Sequence, residues 1–172
     1  TVRIVLAVSL FLHVLCVAQL ARRNRLARPV PYQRSRPVRA TLPARSMLVT
    51  GVVILFFIVV HLLQFTTGTI DSARFVEGAV YANLYRAFQV GYYAAFYLVV
   101  LSFLALHLHH GAWSLFQTLG VDNPDRNPSL RRLAIAITAS IFLISASVPI
   151  AFYSGAMPAP PAVSPSSDGT KA

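Results

Sequence analysis

The 172-residue chain is 56% hydrophobic and 12% charged, where an ordinary soluble domain is about a quarter charged. Fifteen lysines and arginines against five acids give a net charge of +10. The arginines cluster in loops between long uncharged runs, which is a membrane-topology pattern and argues against nucleic acid as a partner. The single cysteine, Cys16, excludes an internal disulfide or a four-cysteine cluster.

The uncharged runs cover residues 4–21, 46–70, 87–121 and 133–167. Each holds the roughly 20 mainly apolar residues that cross a bilayer core of about 30 Å. They predict an all-α transmembrane helix bundle with four spans, at about 1–20, 46–66, 88–119 and 129–153, in one domain over 1–154. The chain starts Thr-Val-Arg at the outer end of the first span. Its basic residues follow that span rather than precede it, which does not fit a signal peptide and points to a further segment upstream. Eight arginines fall between Arg22 and Arg45. Their linker contains Pro29, Pro31, Pro37 and Pro43, which favour extended backbone over helix.

The second span leads to an exterior segment, 67–86, where Val76, Val80, Leu84 and Tyr85 recur at the spacing of a short amphipathic helix. The third span ends at Gly120, a good residue for a left-handed C′ position. Arg126, Arg131 and Arg132 follow, and Ser129 is placed to cap the fourth span. Pro149 should bend that span, with Ser145 one turn earlier to satisfy the carbonyl it frees. The two arginine-rich loops lie on one side, and the positive-inside rule assigns them to the cytoplasm. Residues 155–172, rich in Pro, Ala and Ser, read as a disordered exterior tail.

His13, His61 and His107 lie within three successive spans. Imidazoles in hydrocarbon mark ion pathways or cofactors, and facing helices that each give one neutral imidazole hold haem iron from both sides. Counted along the helix, His13 lies about 13 Å from the cytoplasmic end of its span and His107 about 18 Å, less with tilt. The two match as axial ligands of an inner haem. His61 lies in the outer half, with no other in-span histidine at its depth in this chain. It either holds no haem or takes its partner from outside this sequence.

In the run His107-Leu108-His109-His110-Gly111, His107, His110, Gly111 and Ser114 share one helix face and His109 points away. His107 is the preferred ligand because it is deepest and because Gly111, one turn below, lets a flat macrocycle approach the backbone. His110 is the second choice, as ligand, propionate contact or quinone contact. Arg22, Arg23 and Arg45 at the cytoplasmic rim are the candidates for haem propionates, against the plainer reading that they only set topology. Tyr92, Tyr93, Phe96 and Tyr97 read as interfacial belt and packing. The plain reading of any one histidine is a hydrogen bond to a neighbouring helix.

The sequence from His107 to Gly120, His-Leu-His-His-Gly-Ala-Trp-Ser-Leu-Phe-Gln-Thr-Leu-Gly, resembles the last haem-ligating helix of the cytochrome b membrane anchors of succinate dehydrogenases and fumarate reductases. It is closest to the single-subunit, five-helix, two-haem type, in which an axial histidine stands thirteen residues before a helix-ending glycine. His61-Leu-Leu-Gln-Phe-Thr-Thr-Gly68 resembles the preceding haem helix. His13, with Gln19-Leu-Ala-Arg-Arg-Asn-Arg25 after it, resembles the one before that. The resemblance runs from Thr1 to about Ser154.

That family has five spans and four axial histidines, where this chain has four spans and three. The absent first helix would carry the partner of His61, as an upstream segment or a further small membrane subunit. The resemblance implies one or two b-type haems and a subunit of the bacterial inner membrane that is not itself catalytic for succinate. A cytoplasmic flavoprotein and an iron–sulfur subunit would exchange succinate with fumarate, the latter docking on the arginine-rich loops. Electrons would pass through the haems to or from menaquinone. A quinone site needs a titratable group, and the spans hold no acid. By analogy the outer candidates are Glu77 and Tyr81, four residues apart and on one face if that segment is helical. The inner candidates are His110, Trp113 and Ser114.

Three rivals remain. His13 and Cys16 lie one turn apart, with His107 at similar depth, and mixed Cys/His ligation is the pattern of a Rieske-type [2Fe–2S] centre; one cysteine is too few, so another chain would share the cluster. The second rival is an intramembrane proton or ion pathway through the histidines, though no in-span carboxylate accompanies them. The third is a purely structural anchor.

Overall fold

The computed structural model describes residues 1–27 and 42–161, the side chains of 42–45 excepted. The expectations for the linker over 28–41, for the Arg45 side chain and for the tail over 162–172 fall outside the described residues. Within them every regular element is helical: α1 (Val2–Leu26), α2 (Leu42–Phe65), α3 (Val80–Phe88), α4 (Gly91–Thr118) and α5 (Asn127–Tyr153). α1, α2 from Ser46, α4 and α5 are long and apolar enough to cross a bilayer. The chain is therefore an all-α, multi-pass membrane protein. It divides into two compact units, Thr1–Arg39 and Ala40–Ala172.

Helix boundaries differ from expectation for local reasons. α1 continues beyond residue 20 to Leu26 because nothing there breaks a helix and arginine is a good helix former. Arg23 and Arg25 also suit the negative end of the helix dipole. Pro43 does not block α2. It sits in the first turn, where a missing N–H forfeits no intrahelical bond. Pro128 does the same for α5, so Ser129 lies inside the first turn instead of capping it, and no side chain caps that end. Near Pro149 the Ser147 hydroxyl donates to the Ile144 carbonyl at 2.7 Å, which is not the carbonyl of residue 145 that the proline frees, and the expected bond from Ser145 is not seen among the described residues.

The C-terminus of α4 behaves as its glycine requires. Gly120 adopts φ +67°, its N–H bonds to Gln117 O, and Val121 N–H bonds to Phe116 O, which is a Schellman closure. Gly155 closes α5 in the same way. The tail then doubles back: Met157 packs on the aromatic cluster, and the Tyr81 hydroxyl donates to Pro158 O at 2.7 Å.

In the larger unit α4 packs against both α2 and α5, and α3 lies against all three. Phe88, Ala94, Tyr97 and Phe152 form a core at the α3 end, with Phe57, Phe65, Leu84 and Tyr85 around it. Asn83, buried on α3, clamps the preceding turn: its amide oxygen accepts from Val76 N–H at 2.9 Å and its amide nitrogen donates to Val76 O at 2.7 Å. α3 consequently starts at Val80, and Val76 and Glu77 belong to the turn before it. Leu48, Val49, Val52, Phe56 and Val59 leave an apolar outer face on α2, as hydrocarbon contact requires.

Candidate functional site

Two imidazoles lie on the seam between α2 and α4, each held by a hydroxyl from the opposite helix. Toward the arginine-rich end, Thr50 is buried, with 1% of its surface exposed. Its hydroxyl donates to Met47 O at 3.0 Å, and its oxygen lies 3.1 Å from His107 Nδ1. A hydroxyl has one proton. That oxygen can accept from His107 Nδ1–H when the neutral ring carries its proton there, the tautomer whose lone pair lies on Nε2. Gly51 lets the α2 backbone close on this ring: a Cβ there would stand 3.3 Å from His107 Cε1.

Toward the α3 end the pattern repeats with different residues. His61 Nδ1 lies 3.3 Å from the Tyr97 hydroxyl oxygen, and that hydroxyl donates to Gln64 Oε1 at 2.9 Å. The phenol oxygen can likewise accept from His61 Nδ1–H in the tautomer whose lone pair lies on Nε2. Tyr97 is boxed edge-on by Phe57 and Phe88 at centroid distances of 4.9 and 5.0 Å, which fixes its oxygen. His61 touches Phe57 and Phe65 at 5.7 and 5.5 Å and otherwise stands at the surface. Thr50 and His61 project from α2 about 20° apart and about 16 Å along the axis. His61 and His107 thus mark two levels of one seam and cannot share an iron.

Gln64 adds a donor. Its Nε2 is buried with no partner among the described residues, and the side chain lines a small pocket with Ile70, Asp71, Arg74, Phe75 and Asn83. Arg74 pairs with Asp71 at 3.4 Å while half exposed. A buried amide N–H without a partner among the described residues suits an acceptor oxygen such as a carbonyl.

The remaining candidates are more dispersed. His13 and Cys16 lie one turn apart on α1, and Arg22 and Arg23 fall near its end. His110, Gly111 and Ser114 follow His107 along α4 toward the arginine-rich loop. The Trp113 ring is covered by the Arg131 guanidinium, 4.2 Å from its centroid, which ties α4 to α5 by a cation–π contact. Glu77 and Tyr81 do not share a helix face, because α3 begins only at Val80. Glu77 is exposed in a turn, and the Tyr81 proton goes to Pro158 O.

Sequence reasoning missed Thr50 and Gln64 and assigned Tyr97 to packing alone. An available signal was antiparallel register: a hairpin of spans that sets residue 50 opposite 107 also sets 61 opposite 97. Compared with known protein families, curated proteins and solved structures, the chain has no significant match.

Proposed function

We propose that this protein is the haem-carrying membrane anchor of a succinate:quinone oxidoreductase, conducting electrons between a cytoplasmic iron–sulfur subunit and membrane quinone. The observation that carries the reading is the pair of imidazoles on one seam at two levels, each meeting a hydroxyl oxygen of the facing helix with Nδ1 rather than Nε2. A bis-histidine haem needs neutral imidazoles so oriented. The resemblance of the runs starting at His61 and His107 to the cytochrome b anchors supports the same reading. On this view His107 and His13 ligate an inner haem, and His61 ligates an outer one with a histidine from a helix beyond this sequence. The haems would supply one-electron carriers, while this chain's residues hold and orient them. Arg22, Arg23 and Arg45 serve the inner propionates, and the orphaned Gln64 amide suits an acceptor oxygen at the outer level.

The visible spectrum of the purified, complete complex tests this. A sharp reduced α-band and a positive haemochrome assay are expected. A [2Fe–2S] spectrum without haem would favour a shared Rieske-type centre using Cys16, and a colourless protein would leave a proton pathway or a plain anchor.

For quinone, Glu77 is the proposed outer proton-handling group, since the Tyr81 proton is already engaged. Glu77→Gln should lower quinone-coupled turnover by about 100-fold while haem content and dye-coupled succinate oxidation persist. Unchanged quinone turnover would move the site to the inner rim, to His110 and Ser114 beside the Arg131-covered Trp113.

A further inference from the structure

Both seam histidines present Nδ1 to a hydroxyl oxygen of the facing helix, and ligation of iron through Nε2 would keep the ring proton on Nδ1 for that oxygen to accept. Thr50 gives its proton to a backbone carbonyl one turn back, and Tyr97 gives its proton to a side-chain amide on the facing helix. Each acceptor is fixed: Thr50 by near-complete burial beside the close approach at Gly51, Tyr97 by its aromatic box and 5% exposure. Packing alone does not require either hydroxyl, because valine and phenylalanine fill the same shapes. What the hydroxyls add is a direction for the imidazole proton. An Nδ1–H that donates makes Nε2 more basic, and a more basic axial ligand favours ferric over ferrous iron.

We propose that Thr50 and Tyr97 are positioning residues that set the tautomer and basicity of His107 and His61, and so tune the redox potentials of two haems separately. This rests on the haem reading above. The partners differ in kind: an aliphatic hydroxyl at 3.1 Å for His107 and a phenol at 3.3 Å for His61. Each level therefore has its own adjustment, made from the opposite helix about 16 Å apart, and a change at one level need not move the other.

The experiment is an equilibrium redox titration, with low-temperature EPR of the low-spin ferric signals, on the complete complex carrying Thr50→Val, Thr50→Ser or Tyr97→Phe. Thr50→Val should raise the midpoint potential of one haem and shift its low-field g value, leaving the other haem unmoved. Thr50→Ser should restore both readouts. Tyr97→Phe should raise the potential of the other haem alone. If Thr50→Val fails to hold the inner haem, its retention in Thr50→Ser still supports the positioning role. Loss in both Thr50 variants, or full haem with unmoved potentials and g values in Thr50→Val and Tyr97→Phe, overturns the inference. Absence of haem from the wild-type complex would instead overturn the function proposed above.

Discussion

Replacing His107 with alanine should remove the inner haem outright while the protein stays in the membrane. Insertion depends on the apolar length of α4, which spans 28 residues, and losing one polar side chain from it does not weaken that. The site itself collapses chemically: no nitrogen remains at that level on α4, and the Thr50 oxygen is left facing a gap beside Gly51. A low-spin haem needs both strong axial ligands, so its α-band should disappear and not merely shift. Reduced-minus-oxidised spectra and haem per complex measure this directly. His109→Ala should keep full haem, and His110→Ala should keep it as well. Full haem in His107→Ala together with its loss in His110→Ala would transfer the ligand to His110, one turn nearer the arginine-rich end.

The spans were legible because hydrocarbon imposes a simple rule: roughly 20 apolar residues without charge. The α4 terminus was legible for an equally local reason, since only a residue tolerant of positive φ closes a Schellman turn, and Gly120 stands at that place. Among the prolines, Pro43 was misread as a helix breaker. Their effect depends on whether they fall in a first turn or in mid-helix, and composition alone does not locate the first turn. α3 was overextended because the hydrophobic spacing at Val76 continues that of Val80 and Leu84, while the side-chain clamp from Asn83 holds Val76 in a turn. In the site, His61 and His107 were visible because titratable groups are rare in apolar runs. Thr50, Tyr97 and Gln64 were hidden because Thr and Gln raise little contrast there and Tyr also serves as packing. Only the pairing of α2 with α4 gives them a partner.

His61→Ala provides the complementary loss, at the outer level alone. The complete complex should fall from two haems to one, with the inner haem's potential and EPR signal unchanged. Separation is expected because the two levels share no ligand: His107 depends on Thr50 and Gly51, and His61 on Tyr97 with Gln64 behind it. The contrast with Tyr97→Phe makes the assignment strict. That variant keeps the nitrogen and removes only its acceptor, so the outer haem should remain with a raised potential, whereas His61→Ala should have no outer haem to titrate. On the two-haem reading the partner of His61 comes from outside this sequence, so a preparation with every subunit is the one to count. A single haem per complex in that wild-type preparation would defeat the two-haem reading. His61 would then be an imidazole bonded to Tyr97 for packing, and His61→Ala would leave every haem signal where it was.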